Sequence, residues 1–367
     1  MASKKYYPEM DRLRGIAILM VLLYHSILVY PVNLTEQEFW GKLHTFLWTV
    51  EMPLFFLVSG FCFKYAGNYV EYLKKKVLRI LVPHIVFGAL DLLVRLVPTT
   101  IVREQFELGA ALKEFFLYGG NDWFLRTLFL VLLIAPVLWK LMQSVKWGSV
   151  AVFVVALVPY LFQNKITYVF CARNTVQFLI FFAIGMILRK CREKKKTKNI
   201  QVAWWKLGVA VVAGGVMFML GFWKGWLFDE GAWRGAFGGM IWPLRQILMN
   251  FVVPGVTWLK IIYLLVNLVC PLLLCYVVYG IVCRLKSGKV SGFLDICSKY
   301  SLQMYLLDGY ALVVTRTLLV SMLGITNAWV IVIGNFLMDT AIVLFISRYI
   351  LERWSVFQIL SGLGRRK

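Results

Sequence analysis

Arg14 and His25 stand eleven residues apart in MDRLRGIAILMVLLYHSILVY, residues 10–30, a stretch otherwise apolar enough to cross a membrane. At 100° per residue, eleven steps are three turns plus about 20°, so the two share one helical face, separated by about 16 Å along the axis. Asp11 falls within about 40° of the same line. A stripe therefore runs from an acid and a base at the edge of a membrane to an imidazole near its middle. An imidazole exchanges protons near neutral pH, and a guanidinium meets carboxylates and phosphates. Interfacial anchoring explains Asp11 and Arg14 equally well, and His25 either bonds a neighbouring helix or does chemistry. Ionisable groups inside a membrane are functional candidates by default, and His25 is the histidine placed for it. His44 falls in an outer segment and His84 near the inner end of a later span.

Three further constellations have suitable residue types. In EMPLFFLVSGFCFKY, residues 51–65, the Ser59-Gly60 step lets either a packed helix or a ligand approach the backbone. In KKKVLRILVPH, Lys76 and Arg79 are three apart on one face. Charge bias explains the lysines, and Arg79 suits an anionic cofactor. Asp122 and Trp123 open a span at its outer side, where a sugar would stack and hydrogen-bond, although an interfacial tryptophan belt is the commoner use. Asp91 and Arg95, four apart, read as a self-satisfied pair, while Arg126 and Asp339 have no evident assignment.

The elements that must position these residues are membrane helices. Of 367 residues, 60% are hydrophobic and 16% charged. The mean hydropathy is +0.75. Apolar runs recur from residue 13 to residue 351, so one polytopic membrane domain over 1–352 is expected, followed by a short basic cytoplasmic tail, 353–367. The net charge of +22 lies in short clusters between apolar runs, as topology requires and as nucleic-acid binding does not. Clusters at Lys4/Lys5, Lys64–Arg79, Lys140/Lys146, 189–198, 284–289 and the final RRK are assigned to the cytoplasm. Segments with Glu36/Glu38, Glu104/Glu107/Glu114 and Asp229/Glu230 face outward.

The fold expected is all-α, a polytopic membrane helical bundle of about 10 transmembrane helices with both termini cytoplasmic. The spans are 13–30, 46–63, 80–97, 123–140, 148–163, 175–189, 206–223, 261–283, 301–322 and 328–350. Residues 236–256, with Pro243, Arg245 and Pro254, read as a re-entrant or interfacial segment. The seven cysteines form no C-x-x-C pair and read as core packing, so no metal is expected.

Together Arg14 and His25 as R-x10-H, PLFFLVSGF, KVLRILVP, WFL at 123–125 and YSLQMYLL at 300–307 resemble the membrane-bound acyltransferase family 3, in order and over nearly the whole chain. The resemblance implies transfer of an acyl group, acetyl in the first instance, from cytoplasmic acyl-CoA to a hydroxyl of a sugar, a cell-envelope glycan or a small molecule. It implies an enzyme of the cell membrane, in a bacterium the cytoplasmic membrane. His25 would be the general base with Arg14 as a second catalytic residue, and Arg14, Lys76 and Arg79 would hold the CoA phosphates, with Ser59 on the donor path. Asp122, Trp123 and Asp308 would meet the acceptor.

Two positions depart from the pattern. Lys76 stands where an arginine is usual, and Asp308 where the late motif ends in histidine, which puts a catalytic role there in doubt. Asp308 is expected to pair with Arg316 or Arg245. Transfer is expected to be direct, with an acyl-histidine or an acyl-serine at Ser59 or Ser26 as the other route. A secondary transporter or glycan flippase would share ten spans and buried charges, but would show internal repeats, of which the sequence has none that is convincing.

Overall fold

In the computed structural model, residues 6–28, 34–96, 107–195, 202–221 and 257–363 are described, and among them there is no strand. The termini, the loop after residue 195 and the proposed re-entrant segment 236–256 lie largely or wholly outside the described residues. The helices are α1 (Pro8–Ile27), α2 (Glu38–Cys62), α3 (Tyr69–Lys76), α4 (Val82–Leu96), α5 (Leu108–Lys113), α6 (Trp123–Ser144) and α7 (Gly148–Leu161). They continue as α8 (Ala172–Lys195), α9 (Trp204–Gly221), α10 (Thr257–Val282), α11 (Lys289–Lys299), α12 (Ser301–Arg316), α13 (Ala328–Ile346) and α14 (Ser355–Leu360).

Each of the ten expected spans overlaps a helix. Among the described residues, seven helical stretches are long and apolar enough to cross a membrane by length and composition alone, and α7 and α9 are shorter apolar helices. Helix α1 is not among the seven, because Glu9, Asp11, Arg12 and Arg14 crowd its first half. Its boundaries also differ from expectation. Pro8 sits at the start, where a missing N–H costs nothing, and the helix stops at Ile27, so His25 lies in the last turn instead of the middle.

Helix α2 begins eight residues earlier than its hydropathy suggests. Its first turns are amphipathic, with Glu38 and Lys42 paired four residues apart, so a hydropathy criterion misses them. This places His44 within a helix, its ring stacked on Tyr24 at 4.0 Å, and not in an outer loop.

Packing centres on α2. It lies against α1 and, more extensively, against α8, where a Cβ on Gly60 would come 1.9 Å from the Phe182 carbonyl oxygen and one on Gly185 2.1 Å from that of Leu57. The two backbones touch because neither glycine has a side chain. Helices α12 and α13 pack against each other and against α1, completing the wall opposite α8. Between α3 and α4 the chain widens into a π turn, Val77–Leu81, because Pro83 has no N–H for the Arg79 carbonyl.

The C-terminal segment is folded. Helix α14 packs on α4, and Gln303 Nε2 donates to the Ser361 carbonyl at 2.7 Å, tying the chain end to α12. Of the seven free cysteines, Cys171, Cys270, Cys275 and Cys297 are buried as expected, whereas Cys62 and Cys191 are exposed.

Candidate functional site

The site has two parts, a cation-lined cavity and a buried acidic cluster around His25. The cavity, of about 740 Å³, collects Arg14 from α1, Ser59 from α2, Lys76 from α3 and Arg79 from the π turn. Lys64, Arg189 and Lys299 add charge to the same lining. Arg14 is 3.6 Å from Asp11, and Lys299 is 2.8 Å from Glu352. Burial works against the Lys299 charge, but the hydrogen bonds it donates to Glu352 and Tyr300 outweigh it and raise its pKa above the ordinary lysine value. Lys76 and Arg79 have no acidic partner among the described residues. Unpaired cations facing one open cavity suit a ligand with several negative charges.

Away from these cations the lining turns apolar, with Phe55, Phe124, Leu128 and the ring of Tyr305. Phe124 and Tyr305 pack at 5.2 Å between ring centres. Along α12, Asp308 follows Tyr305 by three residues, about one turn. Asp308 is 1% exposed, and its Oδ2 accepts the hydrogen bond of His25 Nδ1. The expected pairing of Asp308 with an arginine is therefore corrected. Arg316 lies about 12 Å further along the same helix, out of reach, and Arg245 is outside the described residues. Instead α1 delivers an imidazole to the carboxylate.

Two further acids join this pair. Glu51, in the middle of α2, is 0% exposed and within electrostatic reach of both His25 and Asp308. Asp339, in the middle of α13, is also 0% exposed and lies beside Asp308. The carboxyl oxygens of Glu51 have no hydrogen-bond partner among the described residues, and Asp339 faces the carboxyl of Asp308. Carboxylates are costly to bury without compensation, and three of them around one imidazole form an arrangement that packing alone would not retain. Although His25 ends α1, it is level with the middles of α2, α12 and α13.

The Asp308 bond fixes the imidazole. With the proton on Nδ1 directed to the carboxylate, Nε2 is left to accept a proton, and 35% of the side chain remains accessible. Ser26 is buried and donates to the Leu22 carbonyl at 2.7 Å, so its hydroxyl is held in its own helix. An aromatic wall leads away from His25: Tyr24 at 5.3 Å, Trp48 at 5.6 Å from Tyr24, and Trp123 at 5.9 Å from Trp48. Asp122 precedes the helix that Trp123 begins, its side chain making no capping hydrogen bond.

The candidates from the sequence thus separate into groups. Arg14, Ser59, Lys76 and Arg79 meet in one cavity, Asp308 meets His25, and Trp123 reaches the His25 neighbourhood through Trp48 and Tyr24. Sequence reasoning left out Glu51 and Tyr305. Glu51 carried a signal, an acid in an apolar run with Leu47 and Phe55 at its i±4 positions and thus no basic partner. Asp91 accepts from Asn121 at 3.2 Å, while the Arg95 side chain falls outside the described residues. Arg126 donates to the carbonyls of Phe115 and Phe116, both at 2.6 Å, an anchoring role for the turn before α6.

No curated protein and no solved structure matches the chain. A family model described as an acyltransferase domain matches residues 7–348. Covering nearly the whole helical bundle and both parts of the site, this match shows that the chain belongs to the membrane-bound acyltransferase family 3 and is a membrane acyltransferase.

Proposed function

We propose that the protein is an O-acyltransferase that takes an acetyl group from cytoplasmic acetyl-CoA and places it on a hydroxyl of a sugar or cell-envelope glycan. The observation that carries this reading is the hydrogen bond between His25 Nδ1 and the buried Asp308, one turn beyond the end of a cation-lined cavity. Arg14, Lys76 and Arg79 bind the CoA phosphates, and the pantetheine arm runs past Ser59 along the apolar lining. The rise of about 16 Å from Arg14 to His25 suits an extended arm.

His25 Nε2 takes the proton of the acceptor hydroxyl as its oxygen attacks the thioester carbon. The C–S bond then breaks, and the CoA thiolate leaves with the proton that His25 returns. Asp308 holds the ring and stabilises its cationic form. A sugar is the acceptor class best suited to Trp123 and Asp122, which offer a stacking face and a carboxylate.

The test is incubation of membranes containing wild-type protein or His25→Ala, at matched level, with labelled acetyl-CoA. Envelope glycans and small metabolites are then analysed for a mass gain of one acetyl group. Acetylated product in wild type alone is expected. Equal product from both, or product without acetyl-CoA, refutes the reading.

A further inference from the structure

We infer that Tyr305 is a catalytic residue whose hydroxyl stabilises the oxyanion formed at the donor's thioester carbonyl. The inference rests on the acyl-transfer reading above and deepens it. Proton abstraction by His25 accounts for the nucleophile, but acyl transfer also places a negative charge on the carbonyl oxygen. In an apolar setting that charge needs a fixed donor.

Tyr305 stands at the junction of the two parts of the site. It lines the donor cavity beside Phe55 and Phe124, and on α12 it precedes Asp308 by one turn, on the same face. It is within electrostatic reach of Asp308, Glu51 and Asp122, so it borders the acidic cluster as well as the cavity. A thioester passing from the cavity toward His25 has to pass this side chain. The ring is held by Phe124, whose backbone N–H also hydrogen-bonds the hydroxyl oxygen, whereas the hydroxyl's own proton goes to a long bond, 3.4 Å, to the Asn121 carbonyl. A donor so weakly engaged is free to turn to a stronger acceptor.

The step balances within the site. The acceptor oxygen bonds to the thioester carbon, its proton goes to His25 Nε2, and the carbonyl electron pair moves onto oxygen, which accepts the Tyr305 O–H hydrogen bond. When the carbonyl re-forms, the C–S bond breaks and the CoA sulfur leaves with the proton from His25. Tyr305 keeps its own proton throughout.

The acceptor need not be known to test this. A trifluoromethyl ketone analogue of acetyl-CoA hydrates to a tetrahedral centre that resembles the intermediate, and its affinity can be compared with that of CoA on the full-length protein in lipid nanodiscs. Wild type should prefer the analogue, and Tyr305→Phe should weaken analogue binding by about tenfold to 10²-fold while CoA affinity stays within about twofold. Analogue affinity kept within about threefold in Tyr305→Phe overturns the inference alone. A wild type that binds neither compound overturns the acyl-CoA reading and this inference with it. Should Tyr305→Phe fail to fold, a fluorotyrosine at 305 keeps the ring and makes the hydroxyl a stronger donor. Analogue affinity should then change severalfold with CoA affinity constant, and no change overturns the inference.

Discussion

The cation-lined cavity and the His25 cluster are opposites built on the same helices. The cavity is open and lined by cations, some balanced by the half-buried acids Asp11 and Glu352 and some, Lys76 and Arg79, with no acidic partner among the described residues. The cluster is buried and acidic, three carboxyls around one imidazole, with Glu51 lacking a hydrogen-bond partner among the described residues. The difference teaches what each costs. The cavity cations are partly desolvated, Arg189 almost fully, a cost offset where an acid lies beside them and one that leaves the others suited to an anionic ligand. Acids in the interior cost several kcal/mol of desolvation each, an expense that preorganised chemistry explains better than stability. Changes in the first region should therefore alter affinity, and changes in the second should alter turnover.

The sharpest way to break that contrast is His25→Ala, expected to lower turnover by about 10² to 10⁴ while CoA still binds. His25→Gln serves as its control, because glutamine hydrogen-bonds but takes no proton. Turnover within about threefold of wild type in that variant would refute base catalysis. Next in size is Asp308→Asn, expected to lower turnover by about 10²-fold through loss of ring orientation. Combined with His25→Ala it should add almost nothing, since the two act as one unit. Full additivity in acyl-transfer rates would separate them.

Smaller effects belong to the cavity. Arg14→Ala and Arg79→Ala should each weaken CoA binding by about tenfold, measured by calorimetry, with turnover at saturating donor largely kept. If turnover fell instead with affinity intact, the two regions would not divide binding from chemistry. The smallest change is Glu352→Gln, which removes the partner of Lys299 and should cost about 0.5 kcal/mol in thermal unfolding near neutral pH. The Lys299 pKa is raised in the fold, so its contribution is complete below the unfolded lysine pKa and disappears as pH rises through the folded value. Wild type and variant should therefore converge in strongly alkaline buffer.

How much of this is legible in the sequence follows from how far each signal travels along the chain. Apolar runs and Arg14–His25 spacing are properties of single helices, so the helices and the shared face were readable. The cluster is not. Residues 25, 51, 308 and 339 come from four helices, and helical periodicity says nothing about which faces meet. Asp308 was mispaired for that reason: a nearby arginine is easy to see in sequence, a histidine 283 positions away is not. Boundaries failed where polarity blurred hydropathy, at Glu38–Lys42 in α2. Tyr305 lies within a quoted motif, but its place between cavity and cluster exists only once α12 is packed on α1 and α13 and its ring meets Phe124 of α6.

The paired glycine contacts between α2 and α8 bear on how the enzyme moves. With Gly60 against the Phe182 carbonyl and Gly185 against that of Leu57, the two backbones interlock at two points one turn apart, and neither helix can slide or roll without collision. Helix α2 carries Glu51, Phe55 and Ser59, which belong to both parts of the site. The wall shared by donor path and reaction centre is thus the fixed frame of the machine. Facing it, α3, the π turn and the C-terminal segment line the cavity, and there too backbones meet, a Cβ on Gly362 coming 2.4 Å from the Arg79 carbonyl oxygen.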